Sequence, residues 1–183
     1  SPYNFNFYKK LLVEIRFDIL KLYGKEKKVL VIDLDNTLWP GIISEDNAED
    51  IIEKYNNSKY LQHKDLVSTL DYLYDMGIIL CISSKNYHDD AIDFFNTYFK
   101  FFDHKKFVIK KINWQEKSKN ILKISSELNI KTDSIVFLDD SDFEIEEVNS
   151  TIHDIISIKF DLKLLKSLET FKEIKKIFYK NKI

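Results

Sequence analysis

Apolar residues along this chain keep two rhythms, and the rhythms take turns. "VLVID", residues 29–33, is an unbroken, β-branched run, the pattern of a strand covered on both faces. "IILCIS" (78–83) and "SIVFLDD" (134–140) repeat it, and "KFVI" (106–109) and "DIISIKF" (154–160) read as further strands. Between them the spacing turns helical. Residues 62–76 predict a helix stopped by Gly77, and "DDAIDFFNTYF" (89–99) and "QEKSKNILKISSELN" (115–129) predict two more. At the ends, "FNFYKKLLVEIRFDILKLY" (5–23) sets Phe7, Leu11, Ile15 and Leu22 near helical spacing, and "LKLLKSLETFKEIKKIFY" (162–179) is similarly amphipathic. The first of these closes at Gly24 with a charged joint, "KEKK". Either terminal helix can cover the sheet, build a dimer or dock a neighbouring domain.

Strands that alternate with helices predict right-handed βαβ crossovers and an α/β, doubly wound, mainly parallel sheet of the Rossmann-like kind. The expected division is a helix and joint over 1–27 and a core with its C-terminal helix over 28–183, one domain overall. About 40 residues separate the first strand's end from the second strand, and about 30 separate Ser84 from Lys117, too few for a large cap domain.

Bulk composition narrows the picture only a little. The chain has 183 residues, 44% hydrophobic and 32% charged, which is a globular balance. A net charge of −2 argues against a strongly basic nucleic-acid surface. No apolar run reaches the roughly 20 residues that span a bilayer. A single cysteine, Cys81, and no visible signal peptide point to a reducing, cytoplasmic setting. The chain begins at Ser1 rather than methionine, which reads as a processed chain, with a larger parent protein possible.

Chemistry enters where the buried strands stop. In a doubly wound sheet, ligands bind beyond the carboxyl ends of the strands. The first strand runs into Asp33 and Asp35, another into Ser83 and Ser84 followed by Lys85 and Asn86, and another into Asp139 and Asp140. Four carboxylates at one edge repel each other unless a cation sits among them. All-oxygen donors without a His or Cys cluster suit a hard cation, Mg²⁺ best. Lys117, opening a helix, adds a positive charge, and a Ser hydroxyl at a strand end can hold a phosphate oxygen. A metal, a lysine and a hydroxyl together suit phosphoryl transfer, which needs mostly positioning and electrostatic stabilisation.

These residues carry a family resemblance. "DLDNT" (33–37 with its preceding strand) is similar to the DxDxT signature of the haloacid dehalogenase (HAD) superfamily, and Ser84, Lys117 and "LDD" follow in the order of that superfamily's other motifs. "DLDNTLWPGIISED", "SSKN" and "NWQEKSKNI" resemble more narrowly the capless subfamily IIIC, which includes magnesium-dependent phosphatases and FkbH-like domains. FkbH-like domains load a glyceryl group from a phosphorylated three-carbon donor onto a carrier protein. This chain departs from them at Pro40, where they have Gly, at Ser83, where they have Cys, and in "DDSDFE", where they read "DDNPxE". Pro40 instead matches the magnesium-dependent phosphatases.

The resemblance implies roles position by position. Asp33 is the expected nucleophile, forming an aspartyl phosphate. Asp35 is the expected acid and base. Ser84 and Lys117 are expected to bind the phosphoryl group. Asp33, Asp35 and Asp140 are the expected Mg²⁺ ligands, with Asp139 behind them or as an alternative ligand, and the Leu34 carbonyl or Asp35 backbone able to complete a contact. Lys85, Asn86, Trp39 and Trp114 are candidate substrate contacts. Asp142 or Glu144 could join the metal through water. Each has a bland alternative: loop or cap for the aspartates and Ser84, a solvated face for Lys117, packing for the tryptophans. Glu45 and Asp46 are expected to face solvent, and the four scattered histidines receive no chemistry.

The leading expectation is therefore a Mg²⁺-dependent phosphatase or phosphotransferase acting on a phosphorylated substrate, with a macromolecular or carrier-bound one admitted because no large cap is expected. FkbH-like loading is the first alternative. A receiver-like, non-hydrolytic phosphoacceptor is another, although such a domain needs no second aspartate two residues after its acceptor. A binding module without activity is the last.

Overall fold

The computed structural model describes residues 27–160 and Phe178. Chain order is β1 (Val29–Ile32), α1 (Ala48–Asn56), α2 (Leu61–Asp75), β2 (Ile79–Ser84), α3 (His88–Thr97), β3 (Phe107–Ile112), α4 (Lys117–Glu127), β4 (Ile135–Asp139), α5 (Asp142–Thr151) and β5 (Ile156–Lys159). The five strands form one sheet in the order β3-β2-β1-β4-β5, and every pairing is parallel. This is the expected doubly wound α/β core. The terminal helices expected over 5–23 and 162–179 lie outside the described residues, apart from Phe178.

Strand order and crossover hand together decide where each helix sits. From β1 the chain steps outward to β2 and β3, then returns past β1 to β4 and β5. Right-handed crossovers then send the two halves to opposite faces. Leu30 and Ile32 of β1 pack with Ile51 of α1, Leu66 and Leu70 of α2, and Phe94 and Phe95 of α3. Val29 and Val31 point the other way, onto Ile121 and Ile124 of α4 and Val148 of α5. Both faces being covered explains why β1 and β4 read as unbroken apolar runs. Phe178 packs into the first of these two cores.

The topology also fixes where a site can form. The chain reverses direction across the sheet between β1 and β4, so a crevice opens beyond their carboxyl ends. Ile32 lies opposite Leu138, and the Asp33 N–H donates to the Leu138 carbonyl at 3.0 Å. Asp33 and Asp139 therefore leave the sheet side by side. Among the described residues, only α1, α2 and a short 3-10 turn separate β1 from β2, and only α3 with another short turn separates β2 from β3, so no large cap covers that edge.

β3 differs from expectation. It runs on through Lys110 and Lys111 to Ile112 rather than stopping at Ile109. As an edge strand it pairs only with β2, so lysines are tolerated along it. Lys110 reaches the Phe107 carbonyl and Lys111 pairs with Glu127.

Candidate active site

The segment after β1 is a tight, inward-packed loop. The Leu34 carbonyl accepts from the N–H groups of Thr37 (3.2 Å), Leu38 (2.7 Å) and Trp39 (3.4 Å). Asn36 adopts φ +54, and its N–H donates to the Gly41 carbonyl. Gly41, at φ +142, takes a conformation that a side chain would strain; a Cβ there would meet Asp46 Oδ2 at 2.7 Å and Ile51 Cγ1 at 2.9 Å. Asp46 is held in that place by accepting from the Ile42 N–H and pairing with Lys54, so it does not simply face solvent as expected. Leu34, Thr37, Leu38 and Trp39 are all fully buried.

This packing fixes Asp35. Its Oδ1 accepts from Trp39 Nε1 (2.9 Å) and the Ile43 N–H (3.3 Å), and its Oδ2 from Asn86 Nδ2 (3.0 Å). Burial, then the Asp33 charge, push the Asp35 pKa up to about 6, while the three N–H donors pull the other way. Asn86 Nδ2 also donates to Ser84 Oγ at 3.2 Å, so Ser84 and Asp35 share one amide.

Lys117 stands at the first position of α4 and is 3% exposed. Its Nζ donates to Asp33 Oδ1 at 2.7 Å and to Asp139 Oδ2. Burial alone would lower its pKa, but the Asp33 and Asp139 carboxylates outweigh it and hold the ammonium charged well above the ordinary lysine range. Asp139 also accepts from the Ser141 N–H; burial and the Asp33 charge hold its pKa above the usual carboxylate range. Asp140 is less enclosed and accepts one long bond, 3.3 Å, from Thr37 Oγ1; burial, then Asp33, push its pKa up to about 6. Asp33, Asp139 and Asp140 each present an oxygen within 4.8 Å of the others.

Several expectations change at this point. The Asp35 carboxylate lies outside the three-carboxylate group, because Trp39, Ile43 and Asn86 occupy it. The Leu34 carbonyl turns inward onto its own loop. Trp39 is no substrate contact: it lies in the core, with ring centroids 4.8, 5.1 and 5.3 Å from Phe94, Phe95 and Phe99. Asn86, as deeply buried as Ser84, gives its Nδ2 to both Asp35 and Ser84. Lys85 reaches sideways to Glu144 Oε1 at 2.6 Å, its ammonium over the face of the exposed Phe143 ring at 5.8 Å from the centroid. Trp114 stays exposed beside Tyr87, ring centroids 5.6 Å apart.

One residue near the site escapes the sequence reading. His63, fully buried on α2, meets the Thr37 carbonyl with Nδ1 at 2.8 Å. A carbonyl only accepts, so Nδ1 carries the proton. Burial lowers the ring's pKa to about 4, so the imidazole is neutral. A signal existed: His63 falls in phase with Leu66 and Leu70, on the helix's core face.

The sheet order, the reversal point and the carboxylates gathered there define a haloacid dehalogenase-like hydrolase core. More narrowly, the model of the NLI interacting factor-like phosphatase family matches residues 28–181, and the chain belongs to that family. Among solved structures, the N-terminal part of the protein BF1531 from Bacteroides fragilis, containing a phosphatase domain complexed with Mg, is 30% identical with a TM-score of 0.73; the match covers 81% of this chain and 40% of that one. This chain thus spans well under half of that relative. Two more distant structures share the fold. A putative haloacid dehalogenase-like hydrolase from Bacteroides fragilis is 13% identical with a TM-score of 0.53, covering 73% of this chain and 87% of that one. The HAD domain of the effector protein Lem4 from Legionella pneumophila is 17% identical with a TM-score of 0.54, covering 82% and 93%. No curated protein matches the chain.

Proposed function

We propose that this chain is a Mg²⁺-dependent phosphatase or phosphotransferase acting on a phosphomonoester through Asp33. The observation that carries the reading is one buried ammonium, Lys117, shared between the aspartates that leave β1 and β4, with Asp140 alongside. A cation-binding carboxylate set and a charge that can bind a phosphoryl group then meet at the sheet's reversal point. The family and the Mg-complexed relative support the same reading.

The donor set fits the metal. Three carboxylates within 4.8 Å, two of them with pKa values raised by burial and by Asp33, form a site short of positive charge. Oxygen-only donors suit Mg²⁺. Asp33, whose Oδ1 alone meets Lys117, and Asp140 would hold it, while both oxygens of Asp139 are engaged, one by Lys117 and one by the Ser141 N–H. When bound, the ion neutralises charge on the transferring phosphoryl group.

The chain's own residues do the rest. An Asp33 carboxylate oxygen attacks phosphorus, a bond forms between them, and the bond from phosphorus to the leaving oxygen breaks. Asp35, with a pKa near 6, gives its proton to that leaving oxygen. It then takes a proton from the water that attacks the aspartyl phosphate, and Asp33 is freed. Lys117 and Ser84 bind the phosphoryl oxygens. With no large cap over that edge among the described residues, the substrate can be large, including a protein- or carrier-bound phosphate. Loading through a thioester is not favoured: Ser83 is fully buried, and burial pushes the Cys81 thiol up to about 11.

Phosphate release from an aryl phosphate and a panel of phosphorylated metabolites, with and without Mg²⁺, tests this. Mg²⁺-dependent release that disappears in Asp33→Asn is expected. A folded, Mg²⁺-binding wild-type chain that releases phosphate from no phosphomonoester, free or protein-bound, overturns it.

A further inference from the structure

α4 opens at Lys117, yet the residue at its own cap position, Glu116, gives the helix no side-chain cap. Glu147, on the following helix α5, supplies one from outside. Its Oε2 accepts the Ser118 N–H at 3.1 Å and its Oε1 accepts the Ser118 hydroxyl. A carboxylate against the first turn also suits the positive end of the helix dipole.

The opposite flank of that turn is tied as well. Asn113 and Asn120 exchange amide bonds of 3.2 and 3.0 Å, and the Asn113 N–H donates to the Ser84 carbonyl at 3.0 Å. Ser118 and Asn120 are each 1% exposed. The turn bearing Lys117 is therefore clamped between the strand end that presents Ser84 and the helix that follows Asp139 and Asp140. A lysine stem has four rotatable bonds, so its ammonium is placed accurately only if its backbone is.

We propose that Glu147 is a positioning residue: by capping α4 from α5, it sets Lys117 at the height where its ammonium meets Asp33 and the transferring phosphoryl group. The inference rests on the phosphatase reading, in which Lys117 binds that group. Loss of the cap lets the first turn of α4 fray, and a displacement of about 1 Å at a reacting group can cost roughly 100-fold in rate.

A double-mutant cycle in the full chain tests it. Glu147→Ala is measured alone and in a Lys117→Ala background, by kcat/KM with Mg²⁺ and by thermal unfolding. Glu147→Ala is expected to lower kcat/KM roughly 10- to 100-fold. Glu147→Gln, which keeps one oxygen for Ser118, is expected to lose less. In the Lys117→Ala background the Glu147 effect is expected to vanish, since nothing remains to be placed. The same fold-loss in both backgrounds, or a folded Glu147→Ala with unchanged kcat/KM, overturns the proposal. If Glu147→Ala does not fold, Glu147→Gln carries the same cycle. A wild-type chain without turnover counts against the phosphatase reading instead. The cycle is then read by calorimetric titration of inorganic phosphate into the Mg²⁺-loaded chain, with weaker binding in the Glu147 variants expected only when Lys117 is present; equal binding overturns the proposal.

Discussion

Lys117→Ala probes the electrostatics of the site most directly. The wild-type ammonium sits 2.7 Å from Asp33 Oδ1 and also pairs with Asp139, with all three side chains buried. Deleting it removes the lysine's own desolvation cost but leaves crowded carboxylates without their counter-ion. Breaking a buried pair from one side costs about 3–5 kcal/mol. In a chain of this size 1 kcal/mol moves Tm by roughly 2–4 °C, so at pH 8 without metal Tm should drop by about 6–20 °C. The pH dependence has a definite sign. Asp139 and Asp140 already titrate above the usual carboxylate range, and Lys117 is among the groups that hold them down. Without it their folded pKa values rise further above the unfolded value. Such a group binds more protons folded than unfolded between those two values, so stability falls as pH rises through that window. The deficit should be smallest at pH 5 and largest at pH 8, and Mg²⁺ should restore part of it. Thermal unfolding followed by circular dichroism at pH 5, 6.5 and 8, in EDTA and in Mg²⁺, reads all of this. A deficit below about 1 kcal/mol, or one indifferent to both pH and metal, would refute the reasoning.

The wild-type chain should gain more in Tm from Mg²⁺ at pH 7.5 than at pH 5. A metal ligand must be deprotonated, and Asp140 titrates near 6; equal gains from thermal scans at the two pH values would remove Asp140 from the ligand set. Gly41→Ala should destabilise by roughly 1–3 kcal/mol, since φ +142 is strained for any side chain and the new Cβ crowds Asp46 and Ile51. Urea unfolding measures it, and a neutral substitution would mean that the loop yields freely.

What the sequence reveals here depends on whether a residue's partner is near in the chain or implied by topology. β1, β2 and β4 were legible because burial on both faces leaves an unbroken apolar run. Asp33, Asp35, Ser84, Lys117, Asp139 and Asp140 were legible as a set because strand ends of a doubly wound sheet share one edge. β3 reads short in the sequence because Lys110 and Lys111 look like loop, and only its position at the sheet edge makes them strand residues. Trp39 allows either reading, since the rings that bury it, Phe94 and Phe95 of α3 and Phe99 just beyond it, lie more than fifty residues further along the chain. The hold of Trp39 on the Asp35 carboxylate, which lies outside the three-carboxylate group, follows from that same packing. Glu147 carries no local signal, because its partner, Ser118, is in the preceding helix across a whole strand.

Loops that perform chemistry are usually drawn from the part of a fold that opens most easily. The loop after β1 is built the other way. The indole of Trp39 is at once a wall of the α1–α3 core and a donor to Asp35, while His63 of α2 grips the Thr37 carbonyl from the same side. The loop cannot lift without emptying part of that core. Its amide and indole hydrogens should therefore exchange with solvent only through openings nearly as costly as global unfolding. Heating or denaturant should then remove Asp35 from its place in the same cooperative step that melts α3, leaving no temperature range in which the protein stays folded around a loosened site.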